Sequence, residues 1–184
     1  YDKIVSINSS VSCASCHKQN LGFLDDQTLS KGFAGGSTGR NSMSLINAKY
    51  YPNGRFFWDQ RAATLEIQTL TPVQDHVEMG MNLDTLVTRL KTKAHYPALF
   101  QKAFGSQNIT GEKIANALAQ FVRSIISYRA KFDAGRAQIL PPANPLNTPY
   151  PNFTAQENLG KQLFFSPLTN CATCHGTETF TAPG

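Results

Sequence analysis

The 184-residue chain contains no apolar run near the ~20 residues that a membrane-spanning helix requires. Its opening residues lack the basic-then-apolar pattern of a secretory leader, so a processed or trimmed form is the expectation. Convincing strand alternation of apolar and polar residues is also missing, which argues against a β-rich fold. Charged residues make up only 16% of the chain, and although Lys and Arg outnumber Asp and Glu by 17 to 12, no basic run is dense enough to grip nucleic acid. The net charge of +5 reads as solubility. Cysteine and histidine are scarce, with four of each, so where they fall carries information.

All four cysteines lie in two copies of one pattern, Cys13-Ala-Ser-Cys16-His17 and Cys171-Ala-Thr-Cys174-His175. Two thiols three positions apart reach the two vinyl groups on one edge of a porphyrin, and the adjacent imidazole then meets the iron from one face. The competing readings are a zinc clamp, a thioredoxin-like redox pair and coincidence. A zinc site would use the cysteines but leave the histidines unexplained, and chance placement of histidine after both pairs has odds of roughly one in two thousand. Two covalently bound c-type haems are therefore expected, attached through Cys13, Cys16, Cys171 and Cys174, with His17 and His175 as proximal iron ligands. No cysteine then remains for a disulfide. Covalent haem attachment takes place outside the bacterial cytoplasmic membrane, so the periplasm is the expected compartment.

The second motif is preceded by Thr154-Ala-Gln-Glu157, a capping box that opens a helix. The equivalent helix before Cys13 is missing from the chain, and few residues follow His175. The expected fold is mainly α, with two cytochrome c-like haem lobes in tandem, the second truncated. Residues 1–140 form the first lobe, 141–153 a proline-rich linker, and 154–184 the start of the second. Helical spacing predicts one helix from its N-cap Thr110 through Ile114, Leu118, Phe121, Ile125 and Tyr128. Others are predicted through Leu83, Leu86, Val87 and Leu90, around Leu99, Phe100 and Phe104 after Pro97, and over Arg61 to Leu70. The glycine-rich stretch Gly32 to Gly39 is expected to form a long loop near the iron.

What faces the open side of the first haem decides between electron carriage and catalysis, because a second strong ligand would close it. His76, His95, Met43, Met79, Met81 and the lysines are the candidate ligands. The segments Arg40-Asn41-Ser-Met-Ser-Leu45-Ile-Asn47, Phe56-Phe57-Trp58-Asp59-Gln60-Arg61-Ala62-Ala63, Leu65-Glu66-Ile-Gln68, Pro72-Val73 and Val77-Glu78-Met79 carry a further message. With the two haem motifs, they resemble the bacterial di-haem cytochrome c peroxidase family, which includes the enzyme that matures methylamine dehydrogenase. The resemblance implies that the first haem is the peroxide site and that the second, of higher potential, feeds it electrons. It assigns Glu78 as the distal carboxylate that moves a proton between the peroxide oxygens, a task suited to a partly buried carboxylate with a raised pKa. Gln68 becomes its hydrogen-bonding neighbour, and Trp58 the aromatic residue that couples the haems, although a lone tryptophan otherwise reads as core packing. Asn41 matches a contributor to a calcium site. Arg40 marks the distal loop, and Arg61 is read as a propionate partner or a local structural residue.

One departure bears on mechanism. Aligning Ser30-Lys31-Gly32 and Arg40-Asn41 with the family's distal loop puts Phe33 where several peroxidases carry a histidine that ligates the first haem until the second is reduced. Phenylalanine cannot bind iron, so either the first haem stays five-coordinate or His76 substitutes. The expected function is reduction of hydrogen peroxide to water, with electrons from a small soluble cytochrome c or a cupredoxin. The runner-up is oxidation of a protein or organic substrate, and the third reading is a non-catalytic di-haem electron carrier. The resemblance also allows a homodimer and one calcium ion. The distal ligand of the second haem, which would separate the two enzymatic readings, is expected beyond residue 184.

Overall fold

The computed structural model describes residues 1–177, 179 and 180. Among these the regular structure is helical, with no β-strand: α1 (Cys13–Cys16), α2 (Leu65–Gln74), α3 (Leu83–Lys91), α4 (His95–Phe104), α5 (Gly111–Ser124), α6 (Lys131–Arg136), α7 (Ala155–Phe164) and α8 (Ala172–His175). Two compact units emerge, one of residues 1–46 and 54–125, the other of 47–53 and the chain from 126 onward. The division falls between Ile125 and Ile126, ahead of the boundary expected at residue 140.

In the first unit, Val73, Met79, Met81, Leu86, Leu90, Phe100, Ile109 and Ile114 form the apolar core. Helix α3 follows from its sequence. Asn82 accepts the Asp84 and Thr85 amides as N-cap, and Leu86 and Leu90, four apart, turn inward. Helix α4 tolerates Pro97 because it lies in the first turn, where its missing N–H has no intrahelical partner to lose.

Two predicted helices need correction. The one expected over Arg61 to Leu70 starts and ends later, since Thr64 caps it by accepting the Ile67 amide. It runs on through Pro72, which leaves the Gln68 carbonyl without its intrahelical donor. Helix α5 is capped by Thr110 as expected but ends at Ser124. It buries Ile114, Ala115, Ala119 and Val122, while Phe121 and Tyr128 are exposed. Helices α2 and α3 both pack against α5, and the buried face is the one carrying the small alanines, which leaves the large aromatic residues outward.

The segment before α1 is anchored to this core. The Ile7 amide donates to the Met79 carbonyl at 2.9 Å, and the Arg89 guanidinium of α3 donates to the carbonyls of Ser6 at 2.9 Å and Ile7 at 2.6 Å. In the second unit the capping box of α7 forms as expected, Thr154 and Glu157 exchanging bonds. The proline-rich stretch is held against α7. Lys161, 8% exposed, donates to the carbonyls of Pro145 and Leu146, and Asn158 exchanges two hydrogen bonds with the Tyr150 backbone.

Candidate functional site

Helix α1 is a single turn, which brings Cys13 and Cys16 onto one face. Both thiols are free, as are those of Cys171 and Cys174. His17 follows at once, and its Nδ1 lies 3.0 Å from the Phe23 carbonyl oxygen. A carbonyl only accepts, so the proton resides on Nδ1 and the Nε2 lone pair is left for a metal. Burial pushes the His17 pKa down and favours the neutral ring that ligation requires. The accepting carbonyl belongs to a short loop closed by an antiparallel bridge between Lys18 and Leu24, and Ser42 donates to the Cys16 carbonyl at 3.0 Å. In α8 the same device recurs, with His175 Nδ1 2.9 Å from the Phe180 carbonyl. Paired thiols beside an imidazole presenting Nε2 fit a haem at each motif.

A second bridged loop carries Phe33. Lys31 pairs with Ser37, and the Gly32 amide donates to the Gly36 carbonyl at 2.8 Å, so the glycine-rich stretch opens with a tight turn where a long loop was expected. This turn docks on residues 77–80. The Phe33 amide donates to the Glu78 carbonyl at 3.0 Å, while the Phe33 carbonyl accepts from Asn8 and Ser10. The approach is close enough to demand glycine, since a Cβ on Gly32 would fall 1.7 Å from the Val77 carbonyl oxygen. At Gly80, whose φ is +60°, a Cβ would meet the Phe33 ring at 2.5 Å. Phe33 and Glu78 are thus neighbours. Glu78 is half-buried. Burial, and after it the charge of Asp75, push its pKa up, with Arg61 opposing. Asp75 also accepts the Val77 and Glu78 amides, which fixes the turn that presents Glu78.

A third bridge, between Phe56 and Ala62, closes the loop that bears Trp58, Asp59 and Arg61. Asp59 accepts from Arg61 at 2.8 Å and Arg40 at 2.9 Å, and the Arg61 guanidinium stacks 3.8 Å above the Phe57 ring. Trp58 is 59% exposed, so it is no core residue, and its indole N–H donates to the Asn41 carbonyl at 2.9 Å. The Asn41 amide donates to the carbonyls of Gln27 and Thr28. No group of three or more His, Cys, Asp or Glu side chains able to hold a metal ion occurs among the described residues.

The remaining candidates separate by environment. Gln68 is half-buried on α2, but among the described residues no hydrogen bond joins its side chain to Glu78. Met79 and Met81 are packed in the apolar core. His76 is exposed, and so is His95, whose ring rests against Tyr96. Met43 is half-buried.

Residues 1–138 match the family described as di-haem cytochrome c peroxidase. The chain belongs to that family. It is 35% identical over 182 residues to the methylamine utilization protein MauG of Methylorubrum extorquens, covering 98% of this chain and 48% of that protein. It is 32% identical over 177 residues to the cytochrome c peroxidase Ccp of Escherichia coli, covering 96% of this chain and 35% of that one. The crystal structure of a MauG-like protein associated with microbial copper homeostasis superposes with a TM-score of 0.81 at 29% identity, over 100% of this chain and 52% of its own. The chain therefore spans about half the length, or less, of these relatives. Membership of the di-haem peroxidase family brings haem as cofactor and agrees with the mainly α, cytochrome c-like fold expected from the sequence.

Two residues at the family's first motif escaped the sequence reading. Arg89 ties the segment ahead of Cys13 to α3, and its only trace in sequence is an arginine beside the inward Leu86 and Leu90. Asp25, with a side chain only 3% exposed, pairs with Lys18 directly after His17. A Lys and an Asp seven positions apart outside a helix carry no periodic signal.

Proposed function

We propose that the protein of which this chain is part is a periplasmic peroxidase that reduces hydrogen peroxide to water. One haem is attached through Cys13 and Cys16 and ligated by His17. Cys171, Cys174 and His175 would hold a second, which would supply the entry point for electrons from a small cytochrome c or a copper protein. The observation that carries the reading is Glu78, a half-buried carboxylate with a raised pKa, fixed beside Phe33 on the turn that the Gly32 loop clasps.

When bound, the haem supplies the redox chemistry of O–O cleavage. Glu78 takes the proton from one peroxide oxygen and returns it to the other, which leaves as water, so a single group acts as base and then acid. With two electrons and two protons overall, hydrogen peroxide yields two water molecules. A pKa above the ordinary carboxylate range matches the group to both transfers. Gln68 orients peroxide beside it, Trp58 couples the two haems, Arg61 balances charge near Glu78 or at a propionate, and Asn41 contributes to a calcium site. Glu78→Gln, assayed with reduced cytochrome c as donor, is expected to lower turnover about a hundredfold or more, the usual worth of a positioned acid-base group. Unchanged turnover removes Glu78 from the mechanism.

Phe33 favours a second reading, oxidation of a protein or organic substrate. Phe33 offers no nitrogen to iron, so unless His76 substitutes, a haem held at the first motif would be open without prior reduction. Phe33→His is expected to make peroxide turnover depend on prior reduction; turnover indifferent to pre-reduction sinks the assignment of that loop.

A further inference from the structure

The geometry points to Asp25 as a positioning residue for the first haem: with Lys18 it closes the loop that holds His17, and it keeps a buried negative charge beside Cys16. This rests on the part of the proposed function that puts a haem at Cys13, Cys16 and His17, and not on peroxide turnover.

Every oxygen of the Asp25 carboxylate is engaged. Oδ1 accepts the Lys18 ammonium at 2.9 Å and the amides of Asp26 at 2.8 Å and Gln27 at 3.3 Å. Oδ2 accepts the Ser30 hydroxyl at 2.5 Å. Ser30 is itself 2% exposed, and its hydroxyl also lies beside the Cys16 thiol, so one hydroxyl separates the carboxylate from a haem-attachment sulfur. Burial opposes ionisation of Asp25, but Lys18 and Ser30 outweigh it and hold the carboxyl well below the usual range. The charge is therefore permanent under physiological conditions.

Lys18 does not cancel it. The same ammonium also pairs with Asp26, whose side chain is 54% exposed, so one positive charge serves two carboxylates and a net negative charge stays behind. The Lys18 backbone meanwhile forms the bridge to Leu24 and accepts the Phe23 amide at 2.9 Å. The ion pair thus closes the very loop whose Phe23 carbonyl fixes His17. The second motif has no counterpart, since the residue after His175 is Gly176, which offers no side chain to pair.

A fixed anion near the iron stabilises the ferric over the ferrous form in the one-electron couple, and such outer-shell charge is one of the protein's levers on haem potential. Asp25 therefore lowers the potential of the first haem and leaves the second unaffected. On the proposed reading this contributes to the potential gap that draws electrons to the peroxide site.

The test is spectroelectrochemical titration of both haems in the full-length holoprotein, with Asp25→Asn and Lys18→Gln. Asp25→Asn is expected to raise the first-haem midpoint by roughly a tenfold change in the reduction equilibrium, about 59 mV for one electron. Lys18→Gln, which uncovers the anion, is expected to lower it, with the second haem unmoved in both. A purely structural role would move both variants the same way, so shifts of one sign, no shift, or equal shifts at both haems overturn the proposal. If Asp25→Asn does not retain its haem, the sign for Lys18→Gln decides alone: downward supports the role, upward or unchanged overturns it. Absence of peroxide turnover in the wild-type protein would overturn the proposed function and leave the sign of these shifts, and so the role of Asp25, standing.

Discussion

Glu78 sits where its own ionisation is unfavourable. Its folded pKa lies above the ordinary 4.5 because of burial and Asp75, so between those two values the folded state binds more protons than the unfolded one. Stability consequently declines as pH rises above 4.5 through that window, so the buried carboxyl is a net cost at the high-pH side. Glu78→Gln is thus expected to raise Tm at pH 7 while it lowers turnover, and a wild-type Tm at or above that of the variant contradicts the burial argument. Gly32 makes the opposite case. Its missing Cβ is what lets the Phe33 turn reach residues 77–80, and Gly32→Ala, with a carbon 1.7 Å from the Val77 carbonyl oxygen, must push the turn off Glu78. A loss of about 1–3 kcal/mol is expected from overpacking, read by denaturant unfolding. Neither glycine requirement was legible in sequence beyond the presence of glycines, because both arise from contacts between segments far apart in the chain.

At the level of elements, Glu66 of α2 and Arg123 of α5 form an ion pair at 2.6 Å between these two packed helices. The hydrogen bond from Arg123 holds the Glu66 pKa below its ordinary 4.5. The pair therefore contributes above 4.5 and is lost as pH falls through the lowered value. Each partner is about one-third exposed, so Arg123→Met is expected to cost about 0.5–1 kcal/mol at pH 7, with the difference from wild type vanishing in acid. In the second unit Lys161→Met strands the carbonyls of Pro145 and Leu146 and is expected to cost about 1–3 kcal/mol. The caps at Thr110 and Thr154 were readable because capping is a local rule of residue type and spacing. The inward face of α5 was legible at Ile114 and Leu118, which pack at the core, but not beyond, since spacing alone cannot tell that Ala115, Ala119 and Val122 are buried while Phe121 is exposed. The three bridged loops around His17, Phe33 and Trp58 were equally invisible, as a single bridge leaves no alternation to detect.

For the molecule as a whole, the two cysteine-histidine motifs and the family were legible from the start, because attachment chemistry fixes both residue type and spacing. Proximal chemistry is local: each motif's histidine finds its carbonyl partner a few residues downstream. The proposed distal groups are scattered in sequence, and the fold brings them together: the Phe33 amide bonds the Glu78 carbonyl and the Arg61 charge reaches the Glu78 carboxyl. With both motifs loaded, haem is expected to stay with the polypeptide through denaturation, and Cys13→Ala with Cys16→Ala should remove one covalently held haem from the intact mass; loss of none breaks the attachment assignment. Trp58, the sole tryptophan, stands exposed in the same compact unit as Cys13, Cys16 and His17. Excited at that single indole, the protein carries its own optical gauge: energy transfer to bound porphyrin is expected to dim its emission, so brightness should fall as haem is loaded.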